Sequence, residues 1–340
     1  MAIDVPQYRN AALRVLQWKR PLLLTHTRPD GDAVGCLLAL RSLLRDAGSK
    51  PHAMWLDGPA PRYAFLWSDE PIENPSDPAA RAAESNADGV IIVDTCAYAQ
   101  LGALTDWLRT RGAALPTLAI DHHQTRDPIG VDCLIDETAS AASVIVLEWA
   151  EAAGWVLSRA AADALLVGIA TDTGWFRYSN TDARTLEAAA RLTRCGADLS
   201  TLYEAVYARE PAARLRLEAA CIQSMELLSG GRIAVMSLGP DQRRAAGGGA
   251  DTSDIVNLPL RIAGVWVSVL LATDAPGQVR VSLRSKPPVL GVADINVAEI
   301  AAAFGGGGHA RAAGVRVPGD LTAARESVLG VLQPRLSACT

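Results

Sequence analysis

Short runs of apolar residues recur through the first half of the chain, and each ends in polar positions. They read PLLLTH, KPHAMWL, GVIIVDT and PTLAID. Continuous apolar runs of this length suit strands of a parallel sheet that is covered on both faces. The segment DAVGCLLALRSLLRDAG follows the first run, and we predict a helix there that ends at Gly48. Alternating strands and helices predict an α/β fold with a doubly wound, mainly parallel sheet.

Helical patterns dominate from about Ser140 to Ser229, and strand patterns return afterwards. Helices are predicted in ASAASVIVLEWAEAAG, SRAAADALLVGIATDTG and TDARTLEAAARLTRCG, followed by a long helical segment from Leu199 to Leu228. Beyond it, GRIAVMSLG, IAGVWVSVLLATD, GQVRVSLRSK and AAGVRVP are strand-like, and NVAEIAAAF is helical. We therefore predict an N-terminal domain over 1–197, a helical connector over 198–229 and a smaller C-terminal α/β domain over 230–340. The stretch RRAAGGGADTSD is predicted to be a mobile loop.

Composition narrows the class of protein. The chain has 340 residues, of which 49% are hydrophobic and 20% charged, which is typical of a soluble globular protein with two domains. No apolar run reaches the length of a membrane span, and the N-terminus lacks the pattern of a secretory signal. The six cysteines are scattered and form no CxxC pair. We therefore expect reduced thiols and a cytoplasmic protein that has no membrane partner.

The net charge of −5 limits the kind of partner. Proteins that bind long nucleic acids are usually basic, because neutralising phosphates supplies much of the affinity. A nucleic-acid substrate should therefore be short and held locally, and long duplexes are not expected to bind.

Acidic and histidine side chains follow the predicted buried elements. In doubly wound sheets, ligands bind at the carboxyl ends of the strands. Buried carboxylates are costly unless they are paired or bound to a metal. The sequence therefore predicts a two-metal site that hydrolyses phosphate esters, with six metal ligands: His26, Asp30, Asp32, Asp94, His122 and Asp172.

Taken singly, most of these residues have a simpler explanation. Asp30 and Asp32 fit a turn and a helix N-cap, and Asp94 fits a cap at a strand end. Asp172 follows Leu165 and Ile169 on the apolar face of its helix, where a nearby cation would relieve its charge. The signal therefore comes from the combination of motifs.

The pair of histidines after the fourth strand offers two different functions. Adjacent side chains point in different directions, so one imidazole can face a metal and the other the substrate. Asp121 could orient an imidazole, as metal-bound histidines usually require. We therefore predict Asp94, Asp121 and His123 as catalytic residues.

Two motifs near the C-terminus carry candidate substrate contacts. In GGGGHARAAG, over 305–314, backbone N–H groups of a glycine run can approach an anion closely, although a flexible linker is the alternative. In QVRVSLRSK, alternation places the basic side chains on one face, where they could be solvated or grip a nucleotide. The predicted substrate contacts are Arg284, Lys286, Gly306, Gly307, Gly308, His309 and Arg311.

The series HxxxDxD, strand-end Asp, DHH and helical Asp resembles the DHH phosphoesterase superfamily. The GGGGH loop and the SLRSK strand are similar to its DHH-associated C-terminal domain, and the resemblance extends from about Pro21 to Pro318. It most resembles the bifunctional members that degrade very short RNA and dephosphorylate 3′-phosphoadenosine 5′-phosphate (pAp). Cys36 departs from the family pattern, which commonly has Ser or Thr there, and we expect little effect on the chemistry.

The resemblance implies a ligand set and a mechanism. One divalent cation would be held by His26, Asp30 and Asp94. A second cation would be held by Asp32, Asp94, His122 and Asp172, so Asp94 would bridge the two cations. Oxygen-rich ligation favours Mn²⁺, with Mg²⁺ or Co²⁺ as alternatives. We expect a water or hydroxide between the cations to attack phosphorus in line, with His123 at the scissile phosphate. The C-terminal residues would bind the nucleotide from the opposite side of a cleft.

Other activities remain open at this point. A phosphodiesterase acting on cyclic or linear dinucleotides has closely related chemistry. A RecJ-type single-strand exonuclease would carry a further nucleic-acid-binding domain, and a family II pyrophosphatase would lack the GGGGH loop. A non-catalytic nucleotide-binding regulator would be expected to lack some of the ligands. The oligomeric state is also open, with a homodimer as one option.

Overall fold

The chain folds into two compact units, Met1–Arg209 and Glu210–Thr340, in the computed structural model. The structure describes residues 3–67, 70–110, 114–123, 126–130, 132–209, 211–247, 252, 254–288 and 291–337, with the backbone alone at 274, 309 and 337. Much of the predicted mobile loop, residues 248–251 and 253, lies outside the described residues.

The first unit is built on a parallel sheet. Within the described residues this sheet has five strands in the order β2-β1-β3-β4-β5, and every neighbouring pair is parallel. The central strands are buried along their whole length, as the continuous apolar runs predicted. The strands are β1 Pro21–Thr25, β2 His52–Ala53, β3 Gly89–Val93, β4 Thr117–Asp121 and β5 Asp132–Ile135.

Helices cover both faces of this sheet. One face packs against α1, α2 and α5, with α6 against α2 and α5 in the same apolar core, and the other face packs against α3 and α4. This arrangement confirms the predicted doubly wound fold. The helices are α1 Val5–Val15, α2 Gly31–Asp46, α3 Pro78–Glu84, α4 Leu104–Thr110, α5 Ala142–Ala153, α6 Arg159–Asp172, α7 Ala183–Arg194 and α8 Leu199–Tyr207.

The second unit contains a mixed sheet. In the part of the chain that is described, it has six strands in the order β10-β11-β9-β8-β7-β6, and only the β7–β8 pair is parallel. The strands are β6 Glu226–Leu228, β7 Ile233–Leu238, β8 Val267–Ala275, β9 Gln278–Ser285, β10 Gly307–His309 and β11 Ala312–Pro318. Helices α11 and α12 pack on one face and α9 on the other. The helices are α9 Ala212–Gln223, α10 Pro240–Ala245, α11 Val297–Ala302 and α12 Leu321–Ser337.

The long helical segment predicted over 199–228 is interrupted. It consists of α8 in the first unit and α9 in the second, followed by β6. Pro211 stands at the N-cap of α9, where its missing N–H and fixed φ suit a helix start and prevent a continuous helix. The division into a catalytic part, a connector and a substrate-binding part stays a prediction.

Several elements have weak sequence signals. The second strand is shorter than KPHAMWL suggested, since only His52 and Ala53 form it and Met54 makes an isolated bridge to Glu73. Strand β5 at the sheet edge has the sequence DCLI and only Leu134 is buried, and β10 consists of two glycines and a histidine. A short edge strand forms because it pairs with a neighbouring strand, and its own sequence specifies that pairing poorly.

Close contact between α2 and α6 fixes the position of the site. A Cβ built on Gly35 would lie 2.3 Å from the Ala164 carbonyl oxygen, and one on Gly31 would lie 2.2 Å from Thr171 Oγ1. On α6, a Cβ at Gly168 would lie 2.8 Å from Asp32 Oδ1. These glycines therefore allow the first turn of α2 to approach the last turns of α6.

Among the described residues, no helix combines the length and apolar character that crossing a membrane requires.

Candidate metal centre

The predicted ligands meet at the carboxyl edge of the parallel sheet. In the strand order 2-1-3-4-5, β2 lies on one side of β1 and the later strands lie on the other, so the order of the strands reverses between β1 and β3. Ligands bind at such a switch point. His26 directly follows β1, Asp94 follows β3, and His122 follows β4. The start of α2 and the end of α6 bring the remaining three carboxylates, Asp30, Asp32 and Asp172, to the same edge.

The first donor trio consists of His26, Asp30 and Asp94. One ligand atom from each residue lies within 4.8 Å of the other two, a spacing that suits a common cation. His26 Nε2 is 3.4 Å from Asp94 Oδ2. Asp30 is also the N-cap of α2, where one carboxylate oxygen accepts hydrogen bonds from the N–H groups of Asp32 and Ala33. Capping and metal binding are therefore compatible at Asp30.

The second donor trio consists of Asp32, His122 and Asp172. Its ligand atoms also lie within 4.8 Å of one another. His122 Nε2 is 3.3 Å from Asp172 Oδ2 and 4.0 Å from Asp32 Oδ2. Three carboxylate or imidazole groups at this spacing match the donor types that divalent cations use.

Asp94 belongs to the first trio and also lies close to the second. With His122 and His123 it forms a third group, whose ligand atoms lie within 4.8 Å of one another. Its Oδ2 is near His26, and its Oδ1 is 3.5 Å from His122 Nε2. The side chain is almost completely buried, and its Oδ1 accepts no hydrogen bond by geometry within the described part of the chain. The backbone of Asp94 adopts a left-handed φ of 58°, an unfavourable conformation for a residue with a Cβ. A buried carboxylate oxygen without a hydrogen-bond donor fits a cation ligand.

Asp32 is held by the N-terminus of α5. Its Oδ2 accepts a hydrogen bond from the Ala142 N–H at 2.5 Å, and its Oδ1 accepts one from the Ser143 N–H at 2.9 Å. The positive end of the helix dipole thus stabilises this buried carboxylate. Cys36 Sγ lies 3.7 Å from Asp32 Oδ1, next to the cluster but outside both trios. Sequence reasoning missed the contribution of α5 because only the tertiary fold brings it to Asp32.

Backbone carbonyls fix the orientation of two imidazoles. His26 Nδ1 lies 2.8 Å from the Thr27 carbonyl oxygen, and His122 Nδ1 lies 3.2 Å from that of Ala139. A carbonyl only accepts, so Nδ1 carries a proton and Nε2 faces the carboxylates. The neutral form of each ring is therefore the Nδ1–H tautomer, whose Nε2 can bind a cation. This is the tautomer that a metal ligand needs.

His123 is oriented by Asp121 in the same region. Asp121 Oδ1 lies 2.7 Å from His123 Nδ1 and also accepts hydrogen bonds from the N–H groups of His122 and His123. His123 Nδ1 is 3.9 Å from Asp94 Oδ1. The hydrogen bond to Asp121 is the main cause that raises the pKa of His123. Among the described residues, no hydrogen bond forms at His123 Nε2, and the contact of His123 with substrate stays a prediction.

The charges in the cluster interact strongly. Burial, reinforced by the charge of Asp94, raises the pKa of Asp32 to about 7. Burial also raises the pKa of Asp172 well above its usual value, with Asp32 and Asp94 adding to the shift. Burial opposes the charged forms of His26 and His122, yet the neighbouring carboxylates raise their pKa values to about 9 and about 10. Without a cation, the cluster therefore retains protons to limit its negative charge.

The basic residues of strand β9 show the predicted alternation. Val279, Val281 and Leu283 are buried, whereas Arg280 and Arg284 are partly exposed. Lys286 follows the strand, and its ammonium donates to the carbonyl oxygens of 262 and 263 at 2.7 and 3.2 Å.

The glycine run forms a strand of a hairpin. Gly307–His309 pairs with β11, and position 309 lies opposite Ala312, which in turn pairs with Arg284. A Cβ on Gly306 would lie 2.4 Å from Val315 Cβ, and one on Gly308 would lie 2.4 Å from the Ala312 carbonyl oxygen. Close strand pairing therefore requires two of the glycines, whereas no atom of the described residues lies within 4 Å of a Cβ built on Gly307. The side chain of His309 lies outside the described part of the structure, and its contact with substrate stays a prediction.

Arg311 is held by groups of its own unit. Its guanidinium donates to the Ile295 carbonyl oxygen at 3.1 Å and forms an ion pair with Asp294 at 2.5 Å. These contacts stabilise the segment between β9 and α11. The predicted contact of Arg311 with substrate stays a prediction.

A doubly wound sheet that carries two adjacent trios of carboxylates and imidazoles defines a metal-binding α/β protein. Comparison with known proteins identifies the family to which the chain belongs. The model of the DHH family, N-terminal domain, matches residues 21–169, and the model of the DHHA1 domain matches residues 233–333. The chain therefore belongs to the DHH family, and its second unit contains a DHHA1 domain.

Relatives of known name cover most of the chain. It is 31% identical over 320 residues to the bifunctional oligoribonuclease and PAP phosphatase NrnA of Thermus thermophilus, covering 93% of this chain and 90% of the relative. It is 29% identical over 301 residues to the protein of the same name from Bacillus subtilis, covering 87% and 88%. These matches confirm the predicted superfamily and the predicted class, a phosphoric ester hydrolase.

A solved structure supports the fold. An exopolyphosphatase-related protein from Bacteroides fragilis superposes with a TM-score of 0.90 at 22% identity, covering 97% of this chain and 96% of that one. The predicted combination of a doubly wound N-terminal sheet and a second α/β domain is thereby confirmed.

Proposed function

We propose that the protein hydrolyses short oligoribonucleotides and pAp, using two divalent cations bound to the two donor trios. The observation that carries the proposal is Asp94, a buried carboxylate of the first trio that lies close to the second and whose Oδ1 accepts no hydrogen bond among the described residues. The NrnA relatives, named as oligoribonucleases and PAP phosphatases, supply the substrate class.

The proposed mechanism assigns a task to each group of residues. Bound cations would lower the pKa of water and stabilise the attacking and leaving oxygens of an in-line displacement. His26, Asp30 and Asp94 would hold one cation, and Asp94 would share the other with the second trio. His123, oriented by Asp121, would donate a hydrogen bond from Nε2 to a phosphate oxygen.

The donor set favours hard cations over metals that prefer thiolates, since four of the six ligands are carboxylates. We propose Mn²⁺ as the physiological metal, with Mg²⁺ and Co²⁺ as weaker substitutes. Free thiols support a reducing cytoplasm: Cys36, Cys96, Cys133, Cys195 and Cys221 are unpaired in the described part of the chain.

The second unit would supply the nucleotide contacts in this proposal. Arg284 and Lys286 are the candidate phosphate-binding side chains, and Gly307 has open space in front of its Cα. Short substrates fit the acidic net charge of −5, because few phosphates need to be neutralised.

The proposal is tested by a substrate panel with purified protein and its Asp94→Asn variant. We expect wild type with Mn²⁺ to hydrolyse an RNA dinucleotide and pAp faster than a cyclic dinucleotide or long single-stranded DNA. Loss of the shared ligand should reduce kcat about 10³-fold or more, since metal catalysis supplies several kcal/mol.

The matched control is Asp106→Asn, an exposed aspartate on α4 of the same unit, which should retain full activity. Wild-type turnover by the Asp94→Asn variant would contradict the shared-ligand assignment. Faster hydrolysis of the cyclic dinucleotide or long DNA would contradict the substrate assignment.

A further inference from the structure

The chain makes an unusual turn directly after the candidate ligand Asp172. Three consecutive residues adopt left-handed backbone angles, with φ of 55° at Gly174, 60° at Trp175 and 63° at Phe176. Residues with a Cβ rarely adopt this conformation, and large aromatic residues are among the least suited to it. Two in succession therefore require strong constraints from the surrounding structure.

Hydrogen bonds supply these constraints. The Trp175 N–H donates to the Ala170 carbonyl oxygen at 2.5 Å, and the Phe176 N–H donates to Thr173 Oγ1 at 3.1 Å. Arg177 Nε donates back to the Gly174 carbonyl oxygen at 2.7 Å. Backbone strain that is held this firmly clusters at binding and catalytic sites, where it fixes the direction of a side chain.

The turn places Trp175 in a cluster of three aromatic rings. The ring centroids of Trp175 and Tyr203 are 5.2 Å apart, those of Trp175 and Tyr207 are 5.4 Å apart, and those of Tyr203 and Tyr207 are 5.3 Å apart. We call this cluster the aromatic platform. Trp175 and Tyr207 pack against the apolar core, whereas Tyr203 is 45% exposed. Packing against the core therefore holds two rings of the platform in place, and the ring of Tyr203 is partly exposed to solvent.

The platform lies close to the metal centre. Trp175 is three residues beyond Asp172, so their Cα atoms are at most about 11 Å apart. A second connection runs through the 3-10 helix Pro61–Leu66, which carries the buried Tyr63 and contacts α8, the helix of Tyr203 and Tyr207. The same 3-10 helix contacts α2 and α6, the helices that bring Asp32 and Asp172 to the metal centre.

We propose that the aromatic platform is a stacking subsite for one nucleobase of the oligonucleotide whose phosphate binds at the metal centre. The inference rests on the proposed function, because that function supplies a nucleotide at this edge of the sheet. Exposed aromatic rings bind single-stranded nucleic acids by stacking on bases, and every base offers a π face. The platform would therefore strengthen binding with little preference for sequence, which suits an enzyme that degrades mixed short fragments.

Binding is tested with two RNA dinucleotides that carry 2-aminopurine at one position or the other and a phosphorothioate linkage that slows cleavage. Stacking on an aromatic ring quenches 2-aminopurine fluorescence. We expect wild type with Mn²⁺ to quench one of the two probes. The Tyr203→Leu variant, which keeps apolar bulk and removes the ring, should lose that quenching, and Tyr203→Phe should retain it.

Catalysis provides the second readout. Tyr203→Leu should raise KM for an RNA dinucleotide roughly tenfold, the size expected for one base–aromatic stack. For a dinucleotide with an abasic sugar at the stacked position, the KM values of Tyr203→Leu and wild type should be equal. Leu186→Ala, which removes an exposed apolar side chain on α7, serves as the control and should leave both readouts unchanged.

The two proposals fail in different ways. If neither probe is quenched by wild type, or if Tyr203→Leu changes KM equally for substrates with and without bases, the stacking subsite is wrong. If wild type quenches a probe but hydrolyses no nucleotide of the panel, the subsite stands and the proposed activity is wrong.

Discussion

At the scale of single residues, Asp94 combines features that a structural aspartate does not need. It directly follows a fully buried strand, its backbone angle is left-handed, and one carboxylate oxygen accepts no hydrogen bond among the described residues. The imidazoles of His122 and His26 overcome the effect of burial and lower its pKa, so it stays ionised. The fold thus keeps a negative charge at a position where only a cation would fully neutralise it.

Asp121 acts on the site through His123. Replacing it with Asn keeps the shape of the side chain but weakens the hydrogen bond that orients the imidazole. We expect kcat to fall about 10- to 100-fold while the bound metal remains, because the Asp121 carboxylate contacts the proposed ligand His122 only at its backbone N–H. Steady-state kinetics together with metal analysis by mass spectrometry measure the two effects separately.

A matched substitution distinguishes positioning from general damage. Asp88→Asn alters an aspartate of the same unit that accepts hydrogen bonds from the N–H groups of Lys19 and Arg20 on the surface. This variant should lower stability slightly and leave kcat unchanged. Loss of metal from the Asp121→Asn variant would show that Asp121 supports the ligands themselves.

At the scale of elements, the α2–α6 pair determines whether the carboxylates of the second trio can meet. Asp32 lies in the first turn of α2 and Asp172 in the last turn of α6, so the distance between their carboxylates depends on how closely the two helices pack. Gly35 lies against the Ala164 carbonyl oxygen, which is part of a helical backbone and cannot rotate away.

Gly35→Ala should therefore push the helices apart. Overpacking of this kind costs about 1–3 kcal/mol of stability, and the displacement should also weaken metal binding. Thermal unfolding and titration with Mn²⁺ measure the two effects. In contrast, Gly330→Ala on α12 has open space in front of its Cα and should stabilise the protein, because alanine favours a helix. Equal melting temperatures for Gly35→Ala and wild type would contradict the packing argument.

At the scale of the whole molecule, metal binding and folding stability should depend on pH together. In the metal-free protein, the pKa of Asp32 is raised to about 7, so its stabilising effect is complete at low pH and is lost as the pH rises through 7. The raised pKa values of His26 and His122 act in the same direction, since their contribution is complete below about 6.5 and is lost as the pH approaches 9 to 10.

Removing metal should therefore destabilise the protein more at pH 8 than at pH 6. At pH 6, protons partly replace the cations in the cluster, whereas at pH 8 the ionised carboxylates repel one another. Calorimetry with and without EDTA at both pH values measures the difference, and it resolves the two units if they unfold separately. The same loss of melting temperature at both pH values would show that the cluster does not control stability.

The local pattern of the sequence determined the class of fold and the candidate ligands. Continuous apolar runs mark buried strands because both faces of a parallel sheet are covered, and the residues that follow them must lie at the ligand-binding edge. For this reason His26, Asp94 and His122 could be proposed before the structure was known. The sequence also indicated that Asp30 could lie in a turn or cap a helix, and in the structure Asp30 is the N-cap of α2.

Tertiary structure decided which of these groups meet and what else joins them. The grouping of the ligand atoms, the hydrogen bonds from α5 to Asp32 and the pairing of the glycine run with β11 all depend on contacts between distant segments. The aromatic platform arises in the same way, from a strained turn after α6 and a face of α8. Sequence periodicity reports which side of an element is buried, but it carries no information on the partner against which that side packs.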